Sequence, residues 1–308
     1  MRAVSIWCAV LWGLMATCAS GEPAARLRVG ITLHPYYSWV ASVVGTAPVD
    51  VVPVLPADAD SHGYQASPAD LKLIGTLDAI VVNGLGHDDF VKPMIEASGN
   101  TRLKIIDPST TIPLIPYARG KSHTHAGETN TAPPKAVAYN PHTFLALTTA
   151  IQQVYAIQAE LAALQPASAA LFRANAQAYA KRLRKLKADA LARLAKAPLK
   201  QVATVHDGYC YLLQELGLEL VAVIEPAHGV EPSASELAGT IDAIKAAGVK
   251  VVFSELSFPK KLVDMIAHES GARVYTFDHM STGEYSAPQF ENAMKANLDV
   301  LVGALGGK

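Results

Sequence analysis

Four side chains set far apart along the chain are of types that hold metal ions, and each stands in a short polar motif. They are His62 in Ser61-His62-Gly63-Tyr64, His142 in Asn140-Pro141-His142, His206 in Val205-His206-Asp207-Gly208-Tyr209 and Asp278 in Phe277-Asp278-His279. Three imidazoles and one carboxylate complete a tetrahedral shell for a borderline-soft divalent ion such as zinc. About 60 to 80 residues separate each from the next, so no local hairpin or finger could gather them. A fold with two halves facing each other could.

The elements that would position these residues are legible as short apolar runs alternating with segments of helical period. Candidate strands are Leu27–Leu33, Val51–Leu55, Ala79–Asn83 and Leu103–Ile106, then Gln201–Val205, Leu220–Ile224, Val249–Ser254 and Arg273–Phe277. Their apolar runs are mostly continuous, as in strands buried on both faces of a parallel sheet. Pro53 pushes Val51–Leu55 toward a sheet edge. Helical segments such as Ser67–Leu77, Ser233–Ala247 and Pro259–Glu269 intervene. The expected fold is therefore α/β, with two lobes built on mostly parallel central sheets and right-handed crossovers. Between the two strand sets Phe172, Ala176, Tyr179, Leu183, Leu186, Ala190 and Leu194 recur every three or four residues. They predict one long helix over 166–198, spanning about 45 Å at 1.5 Å per residue and limiting hinge motion between the lobes. The division expected is 1–20 leader, 21–165 first lobe, 166–198 linking helix and 199–308 second lobe, with residues 119–134 a polar surface loop of turn-forming residues.

Length and composition fit that division. The chain has 308 residues, half of them hydrophobic, enough for two cores, and its 26 basic and 27 acidic residues leave a formal charge of −1. No basic stripe suggests nucleic acid. The first twenty residues carry Arg2 as their only charge, an apolar run from Ala3 to Ala19 and small residues at its end. The run is short for a membrane span of ~20 apolar residues and reads as a secretory signal peptide, so the expected location is the periplasm. Cleavage after Ser20 is favoured over lipidation of Cys18 in the weak lipobox-like Leu14-Met15-Ala16-Thr17-Cys18. Cys210 then has no evident disulfide partner and is expected to be a small buried hydrophobe.

Three of the four ligand candidates fall where an open α/β sheet puts its ligands, beyond the carboxyl ends of strands. His62 follows the second strand, just before the helix opening Ser67-Pro68-Ala69-Asp70; His206 ends the first strand of the second half; Asp278 ends its last. His142 lies after a proline at the crossing between lobes. His34, His87, His228, His268 and His279 are expected to be structural or at the surface, His279 because the alternation of a continuing strand would turn it away from Asp278. Glu255 ends a strand but is not read as a ligand. His123 and His125 in the loop are read as two solvated histidines rather than an accessory site, since so short a tract is weak for metal.

From about residue 27 to 305 the chain resembles the zinc/manganese-specific substrate-binding proteins of bacterial metal ABC transporters, the periplasmic zinc-binding protein family. The residues that carry the resemblance are Val54-Leu55-Pro56 leading into Ser61-His62-Gly63-Tyr64, then Ser67-Pro68-Ala69-Asp70, Asn140-Pro141-His142, His206-Asp207-Gly208-Tyr209, Glu231-Pro232-Ser233 and Phe277-Asp278. The resemblance implies two α/β lobes, a long connecting helix, one metal ion held in the cleft between lobes, and ligands at His62, His142, His206 and Asp278. It implies delivery of that ion to a membrane permease, with a periplasmic metallochaperone as a further partner, and a monomeric chain. The chain departs from the family at Gly63, where an acid is usual, at Asn140, where Asp is common, and in the histidine-rich loop, reduced to His123 and His125. None of these removes a ligand, but the first two alter the groups that orient imidazoles.

The resemblance also implies that manganese members carry a carboxylate where His206 stands. Three imidazoles and one carboxylate favour one zinc ion per chain as the transported ligand, with copper, nickel and cobalt compatible by geometry. The function expected is thus a high-affinity zinc receptor for uptake, not an enzyme. The alternatives are a receptor for manganese or another divalent ion, a zinc hydrolase and a surface adhesin. A catalytic zinc keeps a position open for water, whereas four protein ligands close the shell. No His-Glu-x-x-His or Gly-x-Ser-x-Gly motif is present. An adhesin would need display through Cys18.

Overall fold

The computed structural model describes residues 26–59, 61, 64–117, 138–225, 232–256 and 258–307. The leader with Cys8 and Cys18, His62, Gly63, the whole loop 119–134 with His123 and His125, His228 and Glu231 lie outside the described residues.

The first lobe carries β1 (Leu27–Ile31), α1 (His34–Val44), β2 (Val49–Pro53), α2 (Pro68–Ile74), β3 (Ala79–Val81), α3 (Val91–Ser98) and β4 (Lys104–Ile106). The second carries β5 (Gln201–Thr204), α6 (Cys210–Glu215), β6 (Glu219–Val223), α7 (Ala234–Ala246), β7 (Val251–Glu255), α8 (Lys260–Ser270), β8 (Arg273–Phe277) and α9 (Gln289–Ala304). Between them run α4 (Leu147–Leu164) and α5 (Ala169–Leu194). The two sheets share one topology, β2-β1-β3-β4 and β6-β5-β7-β8, and every pairing in them is parallel. The continuous apolar runs are explained by burial from both sides: Val29, Ile31, Ala79, Ile80, Val81, Val202, Ala203, Val251, Val252 and Phe253 are fully buried. β2 is an edge strand ending at Pro53; Val54 N–H still donates to Ile31 O at 3.0 Å, so the donor that Pro53 lacks falls on the unpaired side, where an edge strand tolerates proline. Local chemistry starts the helices as expected: Ser67 N–H donates to Asp70 before α2, and Ser233 and Glu236 form a reciprocal capping box before α7.

The long helix is shorter than the sequence period predicts. Residues Pro166–Ser168 form a 3-10 turn, and α5 proper has 26 residues, about 39 Å of helix. Pro166 cannot donate an N–H and sits in the tight turn that folds α5 back on α4. The apolar stripe packs as read: Phe172, Ala176, Tyr179, Leu183, Ala190 and Leu194 are buried. Through them one continuous core runs from α1 (Tyr36, Trp39, Val43) across α4 and α5 to α9 (Phe290, Leu298, Leu301). The helical layer therefore belongs to both lobes at once. Each sheet has a smaller core on its outer face, around Ile74, Ile80 and Met94 in the first lobe and Ile241, Ile244 and Ile266 in the second.

Polar contacts fasten the lobes on either side of the cleft. On one side Glu215 of α6 accepts from the backbone N–H groups of Leu147 and Thr148, both at 2.8 Å, filling the unsatisfied donors at the start of α4. On the other, the segment after β8 lies against the first lobe. Gly283 N–H donates to Ala57 O at 2.8 Å, Tyr285 hydroxyl to Leu55 O at 3.0 Å and Ser38 hydroxyl to Ser286 O at 2.8 Å. His34 Nε2 lies within hydrogen-bond distance of Ala57 O and Gly283 O, and its ring stacks on Tyr285 at 4.1 Å. His34 is thus a structural residue of the lobe interface.

Candidate metal centre

The carboxyl ends of the two sheets face each other across the cleft, and the strands at each topological switch point, β1 with β3 and β5 with β7, open into it. His206 follows β5; its neighbour Val205 is held to the sheet by donating to Phe253 O at 2.9 Å. His142 follows Pro141, whose carbonyl accepts from Asn83 Nδ2 at 2.9 Å. The two rings meet edge to face with centroids 4.6 Å apart and their Nε2 atoms 3.0 Å apart. Tetrahedral zinc with bonds of 2.0–2.1 Å sets its nitrogens about 3.3 Å from one another, so this pair needs little adjustment to share an ion.

Among the described residues, the imidazole that converges with these two is that of His279. His142, His206 and His279 each bring a ligand nitrogen to within 4.8 Å of the other two, and all three are buried. Asp278 is half-buried and outside that set; its Oδ1 accepts the Met280 N–H at 2.8 Å, and its backbone is clamped to Asn297 at both N–H and carbonyl. The expectation that His279 turns away is corrected here. Strand alternation holds only while the strand continues, and β8 ends at Phe277. The Asp278 side chain then closes a turn on the backbone two residues on. Met280 takes φ 60°, the one left-handed residue other than glycine among the described residues. That turn carries the His279 ring to 5.2 Å from His142 and 5.3 Å from His206. The available signal was the turn-forming tendency of an aspartate placed directly after a strand.

The other walls follow from the same geometry. Gly208 floors the set: a Cβ there would lie 2.8 Å from His206 Cδ2 and 3.1 Å from Nε2 of both His206 and His279. Only glycine leaves the two nitrogens a common space. His87, also expected to be merely structural, is buried after β3 with its ring 4.9 Å from His142 and 4.9 Å from Phe144. It lines the cluster without joining the ligand set. Its place beyond the end of a switch-point strand could have marked it. Ser61 lines a small enclosed space with His34, His87, Phe144 and Met280, which brings the chain next to His62 up to this wall.

Behind the converging imidazoles lie groups that orient them. His142 Nδ1 is 2.9 Å from Asn140 Oδ1. His206 Nδ1 is 3.9 Å from Glu225 Oε2, both side chains being almost wholly buried. A partner on the far nitrogen fixes which ring nitrogen is offered to an ion. Glu255 is buried at the end of β7 beside Tyr209. Burial pushes the Tyr209 hydroxyl well above its ordinary value, and Glu255 adds to the effect, so Tyr209 stays a neutral wall. Cys210 is half-buried, and burial first, then Asp207, raises its thiol above the ordinary range. That makes it a poor thiolate ligand. His268 is on the surface, 3.1 Å from Glu269.

Two parallel α/β lobes bridged by a helical layer, with buried imidazoles converging between them, define a metal-binding substrate-binding protein of the ABC-transporter type. The chain belongs to the family described as ZnuA, zinc-uptake complex component A, periplasmic, whose model matches residues 29–304. The family consists of metal-binding transport receptors rather than enzymes. Among solved structures, the substrate-binding protein FpvC of Pseudomonas aeruginosa in complex with Mn2+ is similar, with a TM-score of 0.80 and 48% identity over 91% of this chain and 98% of that one. The same protein has also been solved with Ni2+. The high-affinity zinc uptake system protein ZnuA of Bacillus subtilis is 27% identical over 91% of this chain and 88% of its own length. The zinc-binding protein AdcA of Streptococcus pyogenes is 25% identical over 90% of this chain, which spans 55% of that longer protein.

Proposed function

We propose that this chain is a periplasmic receptor that takes up a first-row divalent ion, zinc foremost, between its lobes and delivers it to an ABC permease. The observation that carries the reading is the convergence of three buried imidazole nitrogens from both lobes on one small space. Nitrogen donors suit zinc, copper and nickel, and a buried site without a lysine or arginine among its ligands suits a cation. We assign His142, His206 and His279 as ligands and retain His62 from the sequence as the fourth. Asp278 then serves by building the turn that presents His279, not by binding the ion. A second reading, a nickel or manganese receptor, is favoured by the FpvC structures with those ions. With His62 as the fourth donor the shell is closed to water, which argues against hydrolysis.

The test is competition titration of the mature protein with Zn2+, Ni2+ and Mn2+, wild type beside His279→Ala and Asp278→Ala. One zinc per chain is expected, bound more tightly than manganese. His279→Ala should cost about 100-fold or more in affinity, on the order of one metal–ligand bond's share of a structural zinc site. Asp278→Ala should cost less, because it loosens a turn and removes no ligand. A metal retained unchanged by His279→Ala and lost in Asp278→Ala would reverse the assignment. Preference for manganese over zinc would establish the second reading.

A further inference from the structure

We propose that the side-chain amide of Asn140 prepares the cleft for its ion, selecting the ring nitrogen that His142 presents and tying the His206 segment to it across the lobes. The inference rests on the reading of His142 and His206 as ligands. Asn140 is almost wholly buried and its amide has only one chemically allowed direction. Its Oδ1 faces the backbone N–H of His142 at 3.0 Å, a group that can only donate. Its Nδ2 faces the backbone carbonyl of Asp207 at 2.8 Å, a group that can only accept. The amide cannot be flipped without breaking both contacts.

Two consequences follow. Because Oδ1 must accept, the His142 Nδ1 atom 2.9 Å away must carry the ring proton, and the lone pair is left on Nε2. That is the atom 3.0 Å from His206 Nε2. Because Nδ2 donates to Asp207, the residue that follows His206 is anchored to the residue two places before His142. One side chain therefore sets both the chemistry of a ligand in the first half and the position of a ligand in the second. Asn140 cannot swing out of this role, since its own N–H donates to Ile115 O at 2.9 Å. Its carbonyl accepts from the Tyr211 hydroxyl at 2.8 Å, and that hydroxyl in turn accepts from Ile115 N–H at 3.0 Å.

Asparagine is the side chain that does both jobs. An aspartate could accept from His142 but could not donate to Asp207, and would set a carboxylate oxygen against a carbonyl oxygen. Asn140→Asp thus separates the two roles, and Asn140→Ala removes both.

The experiment is long-range 15N NMR of the histidine rings in metal-free protein, together with zinc competition titration and stopped-flow release of zinc to a chelator. In the wild type, His142 is expected with its proton on Nδ1. Asn140→Asp should keep that form and release zinc about tenfold faster, and Asn140→Ala should mix the two tautomers and lower zinc affinity about 10–100-fold. A wild-type His142 protonated on Nε2 would overturn the proposal. So would an unchanged tautomer in Asn140→Ala, even with weaker binding, since that would be a purely structural effect. Should Asn140→Ala fail to fold, Asn140→Asp decides alone: release at the wild-type rate overturns the interlobe role. Failure of the ligand reading is seen separately, as histidine signals in wild type that do not move when zinc is added.

Discussion

Replacing Gly208 by alanine tests whether the ion sits where the imidazoles converge. An added Cβ would meet His206 Cδ2 at 2.8 Å and the Nε2 atoms of His206 and His279 at 3.1 Å. Carbon atoms in ordinary contact keep about 3.5 Å or more, so the His206 ring would have to retreat by about 0.7 Å. It has little room to do so, packed between His142 and His279 with centroids at 4.6 and 5.3 Å and backed by Glu225. Metal–ligand distances tolerate about 0.2 Å. The displacement therefore removes at least one good ligand, and a loss of about 100-fold, or ~2.7 kcal/mol, is expected in zinc affinity. Overpacking also costs the metal-free fold about 1–3 kcal/mol, so both terms must be measured. The assay is competition against a chromophoric chelator, with denaturant unfolding of the metal-free protein alongside. Zinc affinity within about twofold of wild type (~0.4 kcal/mol), whatever the change in stability, would refute the reasoning and move the ion away from the face of Gly208.

Other outcomes follow from the same geometry. Glu215→Ala leaves two N–H donors at the start of α4 without their carboxylate and should lower stability by about 2–3 kcal/mol; a loss below about 0.5 kcal/mol in urea unfolding would show that the lobes do not depend on this clamp. Asp88 is fully buried, and burial raises its carboxyl above the ordinary 3.8 despite hydrogen bonds from Thr32 and the Asn83 and Gly84 N–H groups. The folded state thus holds this proton more tightly than the unfolded one. Its contribution to stability is full below about pH 4 and is lost as pH rises through the raised value. The stability difference between wild type and Asp88→Asn should shift with pH in that sense, and a difference that is flat from about pH 4 to about pH 7 would contradict it.

The sequence by itself determined the elements and the places of two of the three converging imidazoles. Short, β-branched apolar runs such as Val29–Ile31 and Val251–Phe253 read as strands covered on both faces, and alternation with helices then leaves a parallel sheet as the economical arrangement. Once β5 was recognised, His206 had to stand at its carboxyl end. His142 was marked by the proline before it and the helix after it. These are local properties, fixed by periodicity and by what proline can and cannot donate.

Tertiary structure decided that the side chain of His279 turns toward His142 and His206. The period of two that predicts facing sides ends with β8, and beyond it the direction of a side chain depends on the turn that Asp278 closes and on the left-handed backbone at Met280. Neither is visible in a hydrophobic pattern. The same holds for Asn140, whose partners His142 and Asp207 lie two and sixty-seven residues away. The near contact is readable in sequence; the far one exists only because the helical core of α1, α4, α5 and α9 docks the two sheets with their carboxyl ends opposed. Convergence across such distances is set by how whole lobes pack, and that is where a scatter of polar motifs becomes a single site.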